Sequence, residues 1–189
     1  MNKKVRALIT SLLAGCMLVA SAQAASFPDV AADADYAEAA EVLCNMGIMQ
    51  GTSDGKFNPD SYVTRAQLAA ILCRSRGEAE GLSADGTLFS DVPESHWANA
   101  FIAKVASLGI ISGYADGTFR PDNTVTYAQA ITMVVRMVGL EDQAKEAGGY
   151  PNGYIKIASE NGLSGRLEVN QGDLMTRWQI AKIILGIFS

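Results

Sequence analysis

Apolar residues recur at helical spacing in several short segments of this chain, and each segment is closed by a glycine. Trp97, Phe101, Val105 and Leu108 stand at i, i+4, i+8 and i+11, the stripe of one helical face. Ser95 ahead of them is a predicted N-cap, and Gly109-Ile110 behind them has the form of a Schellman-type stop. Tyr36, Ala40 and Leu43, followed by Gly47-Ile48, repeat the pattern more weakly. A second kind of helix opens at Val63-Thr64-Arg65-Ala66-Gln67-Leu68. There Thr64 as N-cap and Gln67 at N3 form a capping box, and Val63 with Leu68 forms a hydrophobic staple. The same opening returns at Val125-Thr126-Tyr127-Ala128-Gln129 and at Met175-Thr176-Arg177-Trp178-Gln179-Ile180. Between the two kinds of helix lie the loops Asp54-Gly55-Lys56-Phe57-Asn58-Pro59-Asp60 and Asp116-Gly117-Thr118-Phe119-Arg120-Pro121-Asp122. Asp-Gly sets a tight turn, Phe57 and Phe119 are expected to anchor the loops, and the prolines keep the chain extended.

This helix–loop–helix unit is duplicated. Sixteen residues, from Phe27 to Arg74, recur at one offset of 62, from Phe89 to Arg136. A fixed period of this length marks a supersecondary unit whose copies bury faces that none can bury alone. A worn third copy is expected over 148–189, with Tyr154, Ile155 and Ala158 on its first helix and Asn161-Gly162-Leu163 as its stop. Gly165 aligns with Gly51 and Gly113, but the Asp-Gly-x-Phe-x-Pro-Asp loop is replaced by Ser164 to Asp173. The expected organisation is all-α, with units at 25–80, 87–140 and 148–189. Repetition favours a multivalent binder, because a catalytic site usually breaks such symmetry.

Residues 1–24 stand apart. Lys3, Lys4 and Arg6 precede the apolar run Ala7 to Ala20, and Ala22-Gln23-Ala24 is a small-x-small cleavage signal, the pattern of a secretory signal peptide. Leu13-Ala14-Gly15-Cys16 offers a second reading, a lipobox with Cys16 lipidated; the apolar Met17-Leu18-Val19-Ala20 after it favours plain secretion. No later segment is long and apolar enough to span a membrane. Loss of 1–24 leaves 12 basic against 20 acidic residues, a net charge of −8. That balance disfavours nucleic acid and anionic membranes as partners. Cys44 and Cys73 read as small buried hydrophobes, with a disulfide joining the two helices of the first unit as the alternative. Two cysteines and the lone His96 do not make a zinc site. Setting Asp54-Gly55 or Asp116-Gly117 at the turn of a calcium loop leaves the other ligand positions without carboxylates. No metal, cofactor or catalytic constellation is expected. His96 reads as packing at the start of a helix, Trp97 and Trp178 as core, and Arg74 and Arg136 as last-turn cations that complement the helix dipole.

Position N1 of the second helices carries the chemistry. Arg65 and Arg177 sit there at the positive end of a dipole, where capping does not need them. A cation so placed, beside free first-turn N–H groups, suggests an arriving carboxylate or phosphate. Tyr127 takes this place in the second unit and cannot pair with an anion in that way. Thr64, Gln67 and their copies have a structural task in starting helices.

These residues together resemble the S-layer homology family. The marks are Phe27-Pro28-Asp29-Val30 and Phe89-Ser90-Asp91-Val92, His96-Trp97-Ala98, Gly47-Ile48-x-x-Gly51 and Gly109-Ile110-x-x-Gly113-Tyr114, and the Asp-Gly-x-Phe-x-Pro-Asp loops. Thr64-Arg65-Ala66-Gln67 stands where the family usually writes Thr-Arg-Ala-Glu. The resemblance implies three repeats packed as a pseudo-threefold helical bundle that anchors exported proteins to the bacterial cell wall or S-layer. It implies clefts between repeats that bind secondary wall polysaccharide bearing pyruvate ketals, the signature arginine pairing with the ketal carboxylate. Arg65 and Arg177 become the expected ligand arginines, with Gly51 and Gly113 as points of close backbone approach and Gln67, Gln179 and Tyr127 at the same sites. The glutamines and Tyr127 depart from the family pattern, so at most two strong clefts are expected, and the glycan, or peptidoglycan itself, remains open. A protein–protein scaffold or minimal, self-assembling S-layer component is the competing function, and a small wall-glycan hydrolase a remote one. Mass spectrometry of the exported chain should find an N-terminus at Ala25; a diacylated Cys16 would reverse that expectation.

Overall fold

The computed structural model describes residues 27–83 and 86–189. The expected leader and Cys16 lie outside them. The described chain is all-helical: α1 Ala37–Asn45, α2 Arg65–Ser75, α3 Asn99–Ser107, α4 Tyr127–Met137, α5 Glu141–Glu146, α6 Asn152–Glu160 and α7 Arg177–Leu185. Local chemistry sets most of these bounds. Capping boxes form at Thr64/Gln67, Thr126/Gln129 and Thr176/Gln179, starting α2, α4 and α7. Gly47 and Gly109 take φ of 69° and 70°, and the N–H groups of Ile48 and Ile110 reach back to Leu43 O (2.9 Å) and Val105 O (3.0 Å). Those are the bonds of the expected glycine stops.

The start of α3 departs from expectation. Ser95 is not its cap; Ala98 occupies that position. Two successive turns delay the helix, through His96 N–H to Pro93 O (2.8 Å) and Asn99 N–H to His96 O (2.9 Å). Trp97 therefore precedes the helix and is 57% exposed, while Ala98, Ile102 and Val105 form the buried side. His96 packs at this turn as expected, its Nδ1 accepting from Ala98 N–H at 3.1 Å. Trp178 is half-buried against the core and stacks on Tyr36 at 5.4 Å. Helix α5 was not expected; Glu141 at its start accepts from Arg136 Nε (3.1 Å) and Tyr154 Oη (3.0 Å).

Helices of one unit do not pair closely with each other. Instead α2 packs on α3, α4 on α6, and α1 on α7. Cys44 on α1 and Cys73 on α2 thus sit in different helix pairs, and both thiols are free. Cys73 is fully buried, as the hydrophobe reading requires, whereas Cys44 is only half-buried.

The units close on one another through backbone. Val63 N–H donates to Met175 O (2.9 Å), Val125 N–H to Val63 O (3.0 Å), and Met175 N–H to Val125 O (2.9 Å), a closed ring of three bonds. The side chains of Val63, Val125 and Met175 are fully buried. Helices α2, α4 and α7 each begin two residues beyond the ring.

Each duplicated loop is clamped by an aspartate from the start of its own unit. Asp29 accepts from the N–H groups of Phe57 (2.9 Å) and Asn58 (2.7 Å), and Asp91 from those of Phe119 (2.7 Å) and Arg120 (2.7 Å). The clamp holds Asn58 and Arg120 at positive φ, 55° and 58°. Phe57 and Phe119 are fully buried, the anchors the sequence predicts. Phe27 and Phe89 lie on them at 5.4 Å and 5.2 Å between ring centroids. The same rings explain Gly51 and Gly113. A Cβ on Gly51 would stand 3.0 Å from the Phe27 ring; on Gly113 it would stand 2.8 Å from Cδ1 of Phe89 and 2.9 Å from Thr118 O.

Two outcomes follow. Gly113→Ala should destabilise the fold by about 1–3 kcal/mol in urea unfolding, because backbone as well as ring must shift, and Gly51→Ala by less. Burial pushes the Asp29 and Asp91 carboxyls up, but the backbone hydrogen bonds outweigh it and hold both below their ordinary value. Stability from a carboxyl lowered in this way is present above the unfolded value of ~3.9 and lost as pH falls through the folded one. Asp29→Asn with Asp91→Asn should therefore lower the urea midpoint at neutral pH, by an amount that shrinks as pH falls below ~3.9.

Candidate functional site

The first turn of each second helix has four N–H groups without intrahelical partners. Here they are consumed by protein. Gln67 N–H is taken by its own cap at 3.2 Å, Arg65 N–H by Asn123 O at 2.9 Å, and Ala66 N–H by Pro121 O at 2.9 Å. At α7, Arg177 and Trp178 N–H groups go to Ser61 O (2.9 Å) and Pro59 O (3.1 Å); at α4, Tyr127 and Ala128 N–H groups go to Asp173 O (2.9 Å) and Gln171 O (3.0 Å). The expected anion cradle of free first-turn amides is thus corrected: the neighbouring unit's loop already fills it. An incoming anion finds no free first-turn amide there.

The N1 side chains cross to the same neighbour. Arg65 Nε donates to Phe119 O (2.8 Å) and Nη2 to Ser112 O (3.1 Å); its guanidinium lies over Phe119 and Tyr114 at 4.6 Å and 5.0 Å. Arg177 Nε donates to Phe57 O (2.7 Å) and Nη2 to Gln50 O (2.8 Å), over the Phe57 ring at 4.8 Å. Tyr127 reaches the corresponding carbonyl, Ser164 O, with its hydroxyl at 3.5 Å. Burial pushes both guanidinium groups below their ordinary value, yet arginine remains protonated. Neither has a carboxylate in an ion pair among the described residues. Arg65 is only 4% exposed, but it lies at the base of a cleft rather than beneath continuous structure.

Two clefts of matching composition result. The first, of about 240 Å³, gathers Arg65, Gly113, Gln129, Arg136 and Tyr150. The second, of about 260 Å³, gathers Arg177, Gly51, Gln67, Arg74 and Trp97. Gln129 and Arg136 are the offset-62 copies of Gln67 and Arg74. Tyr150 and Trp97 each precede a first helix, α6 or α3, by two residues, and both are exposed, at 62% and 57%.

At the remaining junction the residue two before α1 is Asp35. Its Oδ2 lies 2.6 Å from Lys182 Nζ, across an opening shared with Gly165, Arg166 and Gly186. Gln179 makes its capping bond there, Oε1 accepting Thr176 N–H at 2.9 Å, and is not among the residues lining that opening.

The structure therefore brings Arg65 with Gly113, and Arg177 with Gly51 and Gln67, into common clefts. Tyr127 is buried in a third junction of different chemistry. Arg74, Arg136, Trp97 and Tyr150 were missed as cleft residues. Their helical positions have sufficient structural explanations, and only tertiary pairing shows what they face. The matched arginine pair at offset 62 was the one available signal.

Known proteins resemble this chain over most of its length. The chain is 32% identical to a middle cell wall protein of Brevibacillus brevis over 97% of its own length and 18% of the relative's. It is 34% identical to a cell surface protein of Thermoanaerobacter kivui over 96% of its length and 24% of the relative's. A cellulosome-anchoring protein of Acetivibrio thermocellus is 33% identical over 48% of this chain and 21% of its own length. The chain thus spans about a fifth of the length of the curated relatives it matches. The S-layer homology domain model matches residues 26–69 and 88–131, the stretches whose loops, clamps and capping boxes are described above. Two successive stretches of this chain thus match the S-layer homology domain.

Proposed function

We propose that this chain is a non-catalytic module that attaches exported protein to the bacterial cell wall by binding an acidic secondary wall polysaccharide. The observation that carries this reading is the pair of clefts holding Arg65 and Arg177, each guanidinium supplied only with neutral carbonyl partners. A carboxylate on the glycan, such as a pyruvate ketal, would give either arginine its missing counter-ion. Exposed Tyr150 and Trp97 at the cleft mouths offer flat apolar surfaces for a sugar ring. The relatives' names, cell wall, cell surface and cellulosome-anchoring proteins, support the same role.

Residues 148–189 act in this reading as a degenerate third repeat. They close the backbone ring and supply Arg177, while their own junction has Tyr127 in place of an N1 arginine and the Asp35–Lys182 ion pair at its opening. Gln67 and Gln179 serve chiefly as helix caps, and Gly51 and Gly113 admit the Phe27 and Phe89 rings.

Co-sedimentation with native walls, and with walls stripped of secondary polymer, tests the proposal. The purified secreted chain should pellet with the first only, and added salt should weaken binding. Arg65→Gln with Arg177→Gln should lower affinity at least tenfold. Equal retention on both wall preparations would transfer the ligand to peptidoglycan and overturn the polysaccharide assignment.

A further inference from the structure

The two arginine clefts differ in the fate of their second cation. In the first, Arg136 has an acidic partner: its Nε lies 3.1 Å from Glu141 Oε1, a carboxylate that Lys145 Nζ also approaches at 3.4 Å. In the second, Arg74 has no acidic partner and no hydrogen bond among the described residues; its guanidinium lies over the Phe101 ring at 5.1 Å. Arg177 lines the same cleft and donates only to neutral carbonyls. Two uncompensated guanidinium groups thus share one cleft of about 260 Å³ in a chain whose net charge is −5. Burial presses both groups toward neutrality, the direction an arriving anion would reverse.

We infer that the cleft of Arg177, Arg74 and Trp97 binds a doubly anionic glycan segment, whereas the cleft of Arg65 and Arg136 takes a single negative charge. The inference rests on the polysaccharide-binding reading and sharpens it. Arg177 holds one carboxylate, Arg74 meets a second anionic group on the adjoining sugar, and Trp97 lies against a ring face. Arg74 is in the last turn of α2, where a cation also complements the helix dipole. That contribution does not depend on ligand, so binding measurements separate the two.

Two probes serve: a methyl glycoside bearing one pyruvate ketal, and a disaccharide joining that sugar to glucuronic acid. Titrations are followed by ¹H–¹⁵N spectra of the full secreted chain, with the amides of Gly51 and Gly113 reporting the two clefts separately. At Gly51 the dianionic probe should bind at least tenfold more tightly than the monoanionic one; at Gly113 the two should differ by less than threefold. Arg74→Gln should abolish the advantage at Gly51 and leave monoanion affinity there within twofold, and Arg74→Lys should restore most of it. Arg136→Gln should leave the Gly51 preference intact. Thermal melting of each variant checks that the fold persists, and the lysine variant keeps the test decisive if glutamine destabilises α2. If the monoanion binds through Arg177 but the second charge adds nothing, or if Arg74→Gln weakens both probes alike, the inference fails while the polysaccharide reading survives. If neither probe nor native wall binds, that reading fails as well.

Discussion

Everything distinctive in this fold depends on the three backbone hydrogen bonds that close Val63, Val125 and Met175 into a ring. A helix start normally leaves donors to be met by its own cap or by water. Here the cap meets the third residue's amide, and the neighbouring unit's loop meets the first two. No unit can satisfy its own helix. Removing one would orphan donors on one side and loop carbonyls on the other, and each unmet group that stays out of water costs about 1–3 kcal/mol. This is the nearest-neighbour logic of repeat proteins bent into a closed cycle. It also places the N1 side chain of every second helix against the next unit's loop, so a junction cleft arises wherever the ring passes from one unit to the next.

The parts legible in the sequence are those fixed by a few adjacent residues. Capping boxes at Thr64, Thr126 and Thr176, glycine stops at Gly47 and Gly109, and the buried anchors Phe57 and Phe119 all lie within one turn or loop of the signal that announces them. The offset of 62 added the duplication. What the sequence could not disclose is which helix pairs with which. Pairing α2 with α3 and α1 with α7 crosses unit boundaries, so Cys44 and Cys73 read as neighbours and are not. Trp97 misled for a local reason: the turns at Pro93–Asn99 take it out of helical phase, although its spacing from Phe101 and Val105 fits a stripe. The first-turn amides looked free because their acceptors, Asn123 and Ser61, lie about sixty or more residues away along the chain.

The clefts share a plan but not a surface. Beside Arg65 stands Tyr114, whose ring lies 5.0 Å from that guanidinium and 3.9 Å from the one on Arg120. Tyr114 lines the same cleft as Arg65. At the corresponding places in the other unit are Thr52 and Asn58, a hydroxyl and an amide joined by a 3.0 Å hydrogen bond. Neither overlies Arg177, and that arginine is the more exposed of the two. The two clefts therefore differ in what surrounds the same guanidinium, while the remaining junction holds Tyr127 and Asp35 where these hold an arginine and an aromatic.

In the proposed role the N1 arginines would hold two tasks that chemistry makes compatible. Their Nε and Nη2 groups tie the neighbouring loop by its carbonyls, Phe119 and Ser112 or Phe57 and Gln50. In each fork Nη1 has no protein partner among the described residues. Lysine could not divide itself in this way, since its compact ammonium lacks the planar fork that fixes two donors while presenting a third. The loop bonds also fix the guanidinium before any ligand arrives, so an anion meets a preorganised charge and loses less side-chain entropy on binding. An acidic chain can then recognise an acidic polymer, because its positive charge is confined to a few rigid points where long-range repulsion, screened over about 10 Å at ordinary salt, is overcome at contact.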